Sequence, residues 1–200
     1  MKEVSINSQI RLSQHFTLGE LCKTSVKTAD GNIPSHVHIE NLKRLCGWLE
    51  RLRQRWNQMR NERNEGNERN EKAAIKREQS HACMSYAERE QADQRSNEEM
   101  RNEPRGEVPI IINSGYRSAE VNKAVGGATG SNHLTGCAVD IRCKGIEQAI
   151  RYAFILLDIS EESGESFDEL LIEKSAKSVW VHFAVRPCEN RHKVDFLNKK

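Results

Sequence analysis

The sequence predicts an α+β fold, a small and mostly antiparallel sheet with helices packed on one face, and three observations carry that expectation. Two stretches repeat apolar residues at helical spacing: Ile39, Leu42, Leu45, Cys46, Leu49 and Leu52, then Ile146, Ala149, Ile150, Ala153, Phe154 and Leu157. Four short apolar runs, at 108–113, 138–143, 168–173 and 179–185, have the length of strands. Turn-forming segments, SGYRS, GSNHLTG, EESGES and KSAKS, punctuate them. The expected arrangement packs helices 35–52 and 145–158 on one face of the sheet.

In chain order, Thr17 and Glu20 form a capping-box pair for a short helix within residues 11–25, with Phe16, Leu18 and Leu21 as its apolar contacts. His15 precedes it and is expected to pack on the cap. The first long helix begins near Ser35. His36 and His38 lie two apart on it, so they point to different sides and do not chelate together. From about 53 to 107 the composition changes: Lys and Arg number 12, Asp and Glu also 12, with reiterated RNE and NE and few apolar residues. Such a balanced polyampholyte builds no core of its own. Residues 1–200 are therefore read as a single domain interrupted by this insertion, which is either disordered or a solvated helix, with Ala73–Gln94 the best helix former. His81 and Cys83 inside it have nothing nearby to fix them as ligands.

Order resumes at Val108. Ser118 caps a short helix, AEVNKAV, that Gly126 and Gly127 end. In CAVDIRC, Val139 and Ile141 share one face and Asp140 takes the other; in VWVHFAV, Trp180, His182 and Ala184 lie opposite Val179, Val181, Phe183 and Val185. FDELLIE and VWVHFAV are close enough to pair as a hairpin. Val194, Phe196 and Leu197 offer one further edge element.

The formal net charge of +2 provides no steering toward nucleic acid. No run approaches the ~20 apolar residues of a membrane span, and the first residues lack the apolar core of a secretion signal. The expectation is a monomer made in the cytoplasm. The six cysteines (Cys22, Cys46, Cys83, Cys137, Cys143 and Cys188) include no CxxC pair, and reduced thiols are expected there.

Chemistry concentrates between Asn113 and Cys143. His133 sits on a glycine-flanked loop and Asp140 on the strand it feeds, and a turn between them can fold the imidazole over the face that carries the carboxylate. His182 comes from a separate strand. Imidazole and carboxylate both suit zinc, and three protein ligands leave a position open. On residue types alone, a loop His and a strand Asp fit an ordinary hydrogen bond as well. Cys137 has the wrong strand parity to join Asp140.

SNHLTGCAVDI, preceded by INSGYRS and VNKAVGG and followed by WVHFAV, resembles the zinc peptidases of the M15 family, the D-alanyl-D-alanine carboxypeptidase group, and especially its short single-domain, phage-lysin-type branch. Ser131, His133, Gly136, Ala138 and Asp140 satisfy the family's SxHxxGxAxD motif; LSQHFTLGEL and NLKRL resemble the same branch. The resemblance covers about residues 11–52 and 108–187. It implies the fold shared with hedgehog domains, with Zn2+ held by His133, Asp140 and His182 on the sheet face away from the helices. It implies a peptidoglycan stem peptide as substrate, cut next to a D-amino acid by carboxypeptidase or endopeptidase action, in a lysin released to the cell wall. It also implies a carboxylate near the last ligand as general base.

Part of the family places that Glu three residues before the last His, which here is Val179. Glu173, at the end of the preceding strand, resembles the placement in hedgehog domains and in the short branch, and the KSAKS bend is expected to bring it beside His182. Glu169, on the same strand face, is the alternative. Arg117 resembles the family's substrate-binding Arg, whose guanidinium fork fits a carboxylate; pairing with a structural acid is its other reading. Ser131 either donates to substrate or shapes the loop. Two rivals for the whole chain are a non-catalytic zinc-bearing module on the same fold and an interaction protein acting through the charged insertion.

Overall fold

The computed structural model describes residues 9–80 and 106–199. Thr17 caps helix α1 (Leu18–Leu21) through the reciprocal bonds of a capping box: Glu20 N donates to Thr17 Oγ1 at 3.3 Å and Thr17 N to the Glu20 carboxylate at 2.8 Å. His15 Nδ1 meets Glu50 Oε2 at 2.7 Å, a local packing role. Helix α2 spans His36–Ser80. Ser35 stands at its start, its Oγ accepting from His38 N at 3.4 Å.

Helix α2 therefore runs well past residue 52, where the apolar stripe stops. The charged tract is rich in Glu, Arg, Lys and Gln, all strong helix formers, and the Glu65–Arg69 pair at i, i+4 (3.2 Å) supports it without a core. His81 and Cys83 lie outside the described residues. The chain divides into two units, Met1–Arg55 with Ile110–Lys200, and Trp56–Pro109. In the second, Asn57 ties α2 to the returning chain: its Oδ1 accepts from Val108 N at 2.7 Å and its Nδ2 donates to Val108 O at 3.2 Å.

The first unit holds a sheet of β1 (Ile112–Ser114), β2 (Ala138–Cys143), β3 (Glu169–Lys174), β4 (Val179–Ala184) and β5 (Lys193–Asn198), in the order β1-β2-β4-β3-β5. All neighbours are antiparallel except β3 and β5. Helix α3 (Ala119–Ala124) and a 3-10 turn (Asn132–Thr135) lie between β1 and β2, and helix α4 (Ile146–Ser163) between β2 and β3. Strand β1 starts at 112 rather than 108, for Pro109 has no N–H to enter a ladder and the register with β2 is irregular even between Ile112 and Ser114. The tail element is a full strand, β5.

One sheet face carries the core. Trp48 of α2 stands 5.2 Å from Phe183 of β4, ring centre to ring centre, and Leu42, Leu45, Leu49 and Leu52 are fully buried. Helix α4 packs on β2, β3 and β4 through Ala149, Tyr152, Ala153, Leu156 and Ile159. Its buried face differs from the expected one: Ile146, Ile150 and Phe154 are exposed, Phe154 at 60%. The helix continues to Ser163, and the longer apolar arc through Tyr152, Leu156 and Ile159 wins the sheet contact, turning the helix by roughly a quarter turn from the stripe read in sequence. Among the described residues no helix is long and apolar enough to cross a membrane.

Trp48→Ala is expected to cost about 3–5 kcal/mol, as for a large aromatic lost from a packed core, and Phe154→Ala less than about 0.5 kcal/mol. Chemical denaturation of both variants checks this, Trp48→Ala reporting on the core and Phe154→Ala on which face of α4 is buried.

Candidate metal centre

The β2–β4 ladder sets Asp140 directly opposite His182. Period-2 alternation puts both side chains on the face away from Phe183, and His182 Nδ1 reaches Asp140 Oδ1 at 2.9 Å. His133 arrives from the 3-10 turn. Ser131 caps that turn, its Oγ accepting from His133 N at 3.4 Å, and Gly136 ends it at φ 70°. A Cβ at Gly136 would lie 2.7 Å from the His38 carbonyl oxygen, so both backbone conformation and space require glycine. The connection is thus a 3-10 turn closed by a left-handed glycine, not a simple β-turn, but it folds the imidazole over the strand: His133 Nε2 lies 3.3 Å from Asp140 Oδ1. One ligand atom from each of His133, Asp140 and His182 lies within 4.8 Å of the others. All three residues are buried.

The surroundings fix which nitrogen His133 offers. His133 Nδ1 lies 2.6 Å from the Gly115 carbonyl, which can only accept, so that nitrogen carries the hydrogen and Nε2 presents its lone pair. His182 is flanked by two carboxylates, Asp140 at Nδ1 and Glu169 Oε2 at Nε2, 3.5 Å away. Burial works against its protonation, but bonding to Asp140 and Glu169 prevails and lifts the imidazole to about 9. Burial likewise opposes the Asp140 charge, and His133 and His182 hold its carboxyl far below the usual range nonetheless. Two imidazoles and an ionised carboxylate converging in a buried site form a donor set that fits a divalent cation such as zinc. Cys143 pairs with Val179 and so lies on the sheet face opposite Asp140 and His182.

The structure brings a fourth residue to this cluster. Arg117 Nη2 binds the second oxygen of Asp140 and its Nε donates to Ser114 Oγ at 2.7 Å. The structural acid that competes for Arg117 is thus Asp140 itself. Ser131 shapes the loop. Glu173 shares the sheet face but stands opposite Trp180, two register positions from the Leu171–His182 pair, and its carboxylate meets Lys199 Nζ at 3.0 Å. Glu169 is the acid that touches His182.

Glu169 belongs to a network that sequence reading missed. Asn132 Nδ2 donates to Asp168 Oδ2 at 2.7 Å and Glu169 Oε2 at 3.0 Å, while Arg191 holds Asp168 through Nε and Nη2 at 2.8 and 2.6 Å. The residue before His133 is thereby tied to the strand beside His182. Asn132 next to a ligand and Asp168 next to Glu169 were the available signals; the Gly115 carbonyl, a backbone group, had none.

Asp168 has no exposed surface. Burial opposes its charge, but Arg191 and Asn132 bring the carboxyl down to about 2. A depressed folded value stabilises the fold above the unfolded value of about 3.9, and that contribution fades as pH falls toward 2. Asp168→Asn is expected to lose about 2 kcal/mol at pH 7, with wild type and variant converging near pH 2, as read by urea denaturation across that range.

A family model described as Peptidase M15 matches residues 68–180, more than half of the 200 residues. The span takes in Arg117, Ser131, His133, Asp140, Glu169 and Glu173, and ends two residues before His182. It also includes residues 68–107, which the sequence resemblance had left out. No curated protein matches the chain. With its motif, its sheet and its His-Asp-His cluster accounted for in this way, the chain belongs to the peptidase M15 family.

Proposed function

We propose that the protein is a zinc-dependent peptidase that hydrolyses peptidoglycan stem peptides next to a D-amino acid, as a carboxypeptidase or an endopeptidase. The observation that carries this reading is the convergence of His133, Asp140 and His182, with His133 Nδ1 already committed to the Gly115 carbonyl. These three residues would hold the ion. When bound, zinc supplies Lewis-acid polarisation of the scissile carbonyl and acidifies water toward a pKa of ~7.

The remaining work falls to the chain's own side chains. Glu173 is the general base: it takes a proton from the attacking water and returns it to the leaving amine. Its carboxylate is buried, on the sheet face of the ligands, and has one partner on Lys199, a half-exposed lysine that can let go. Glu169 is committed instead to His182, Asn132 and Arg191, which suits holding the His182 ring rather than moving protons. Arg117 lies against Asp140 and can turn one edge of its guanidinium to a substrate carboxylate.

His133→Ala and His182→Ala are expected to lose both bound zinc and hydrolysis; undiminished turnover in either sinks the assignment. Glu173→Gln should keep zinc at full stoichiometry while the rate falls about 10²–10⁴-fold. Glu169→Gln should weaken zinc binding about 10–100-fold. If Glu169→Gln instead keeps zinc and loses the rate, the two acids exchange roles. Zinc content and turnover of defined muropeptides measure all four.

A further inference from the structure

A second feature lies at the end of the sheet, beyond the triad. A cleft of 460 Å³ opens between the end of β2 and the β3–β4 turn, lined by Arg142, Lys144, Lys174 and Lys177 with Ser175 and Ser178, and no acidic side chain contributes to it. None of the four cations forms an ion pair among the described residues. Other cations of the same unit are paired, Arg51 with Glu165, Arg151 with Glu147 and Arg191 with Asp168, and those with no ion pair among the described residues, such as Lys23 and Lys123, line no shared concavity with these four. Four like charges around one concavity repel one another and raise the local concentration of anions. The turn is also built to hold its shape, since Ser178 N donates to Ser175 Oγ at 3.1 Å and Ser175 N to Ser178 O at 2.9 Å. Arg142 is aimed in turn, its Nε donating to Asn113 Oδ1 at 2.9 Å.

Arg142 links the cleft to the triad by strand parity. Arg142 stands opposite Trp180 as Asp140 stands opposite His182, so Arg142 is on the triad's face, about 7 Å along β2 from Asp140; Lys144 lies just past the end of β2, and Lys174, opposite Val179, starts from the other face and reaches the cleft at the sheet's end. An extended peptide advances about 3.3–3.6 Å per residue. A chain bound at the triad and running along β2 therefore reaches Arg142 within about two residues and the cleft beyond it within about four.

We infer that this cleft is a specificity subsite that binds a side-chain carboxylate of the peptide substrate, two to four residues from the bond that is cut. The inference rests on the peptidase reading for its substrate, and on the unpaired cations for its ligand chemistry. A carboxylate is matched by the guanidinium fork of Arg142 and by the ammonium groups of Lys174 and Lys177.

The test uses the full chain loaded with zinc and two short peptides ending in a D-amino acid, which differ only in a carboxylate or a carboxamide on the residue three from the end. Calorimetric titration of wild type should show the carboxylate peptide bound about 10-fold tighter. That preference should shrink in Arg142→Gln, disappear in Lys174→Gln/Lys177→Gln, and weaken as salt is raised in wild type. Equal affinity of wild type for both peptides overturns the inference, as does a preference that survives in both variants. Inorganic phosphate that binds these cations without displacing the acidic peptide also overturns it, marking the cleft as a separate anion site. Hydrolysis is followed on the same samples. Turnover of both peptides without a carboxylate preference removes the subsite alone, whereas a preference without turnover of either removes the peptidase reading and leaves the subsite standing.

Discussion

A carboxylate cannot be taken out of water alone, and Asp140, only 8% exposed, is the point on which the surrounding structure turns. Three groups keep it ionised: His133 and His182 on one oxygen and Arg117 on the other. Each comes from a different part of the chain. The β2–β4 ladder delivers His182, a capped 3-10 turn delivers His133, and the segment after β1 delivers Arg117. Removing any one partner leaves buried charge less compensated, which is costly in proportion to burial. The same desolvated charge that would destabilise the fold is what attracts a cation.

The N-terminal elements serve the same centre from a distance. Tyr116 N donates to Leu21 O at 2.7 Å, and a Cβ on Gly115 would lie 2.3 Å from that oxygen, so only glycine allows the two segments to approach. Asn32 clamps the same stretch, donating to Tyr116 O and accepting from Ser118 N at 2.7 Å. Helix α1 and the loop after it thus hold in place the carbonyl that orients His133 and the backbone that carries Arg117. A surface element with no ligand of its own sets the tautomer of one.

Strand parity was legible in the residues because it is local: a period of two places Asp140 and His182 on polar faces whatever the rest of the chain does. His133, which no strand carries, was brought beside them by the SxHxxGxAxD resemblance rather than by parity. The face of α4 was not, because Ala149 and Ala153 belong to two overlapping apolar arcs and only the sheet decides between Phe154 and Tyr152. The length of α2 stays open in the residues between disorder and a solvated helix, because without an apolar stripe only propensity speaks for the helix. The partner of Glu173 was hidden too, since Lys199 comes from β5, a strand whose parallel pairing with β3 no local pattern announces.

The sheet order gives its ligands unequal freedom. Strands β2 and β4 are both interior, each bonded on two sides, so releasing Asp140 or His182 means breaking two ladders at once. His133 sits on a four-residue turn outside any ladder, held by the Ser131 cap, the Gly115 carbonyl, Arg117 N on its own carbonyl, and the side chains of Asn132 and Asn41. Local opening in proteins starts where the fewest backbone bonds must break. Of the three residues that would hold an ion, His133 is therefore the one whose backbone can open without breaking a ladder, while Asp140 and His182 stay with the interior strands.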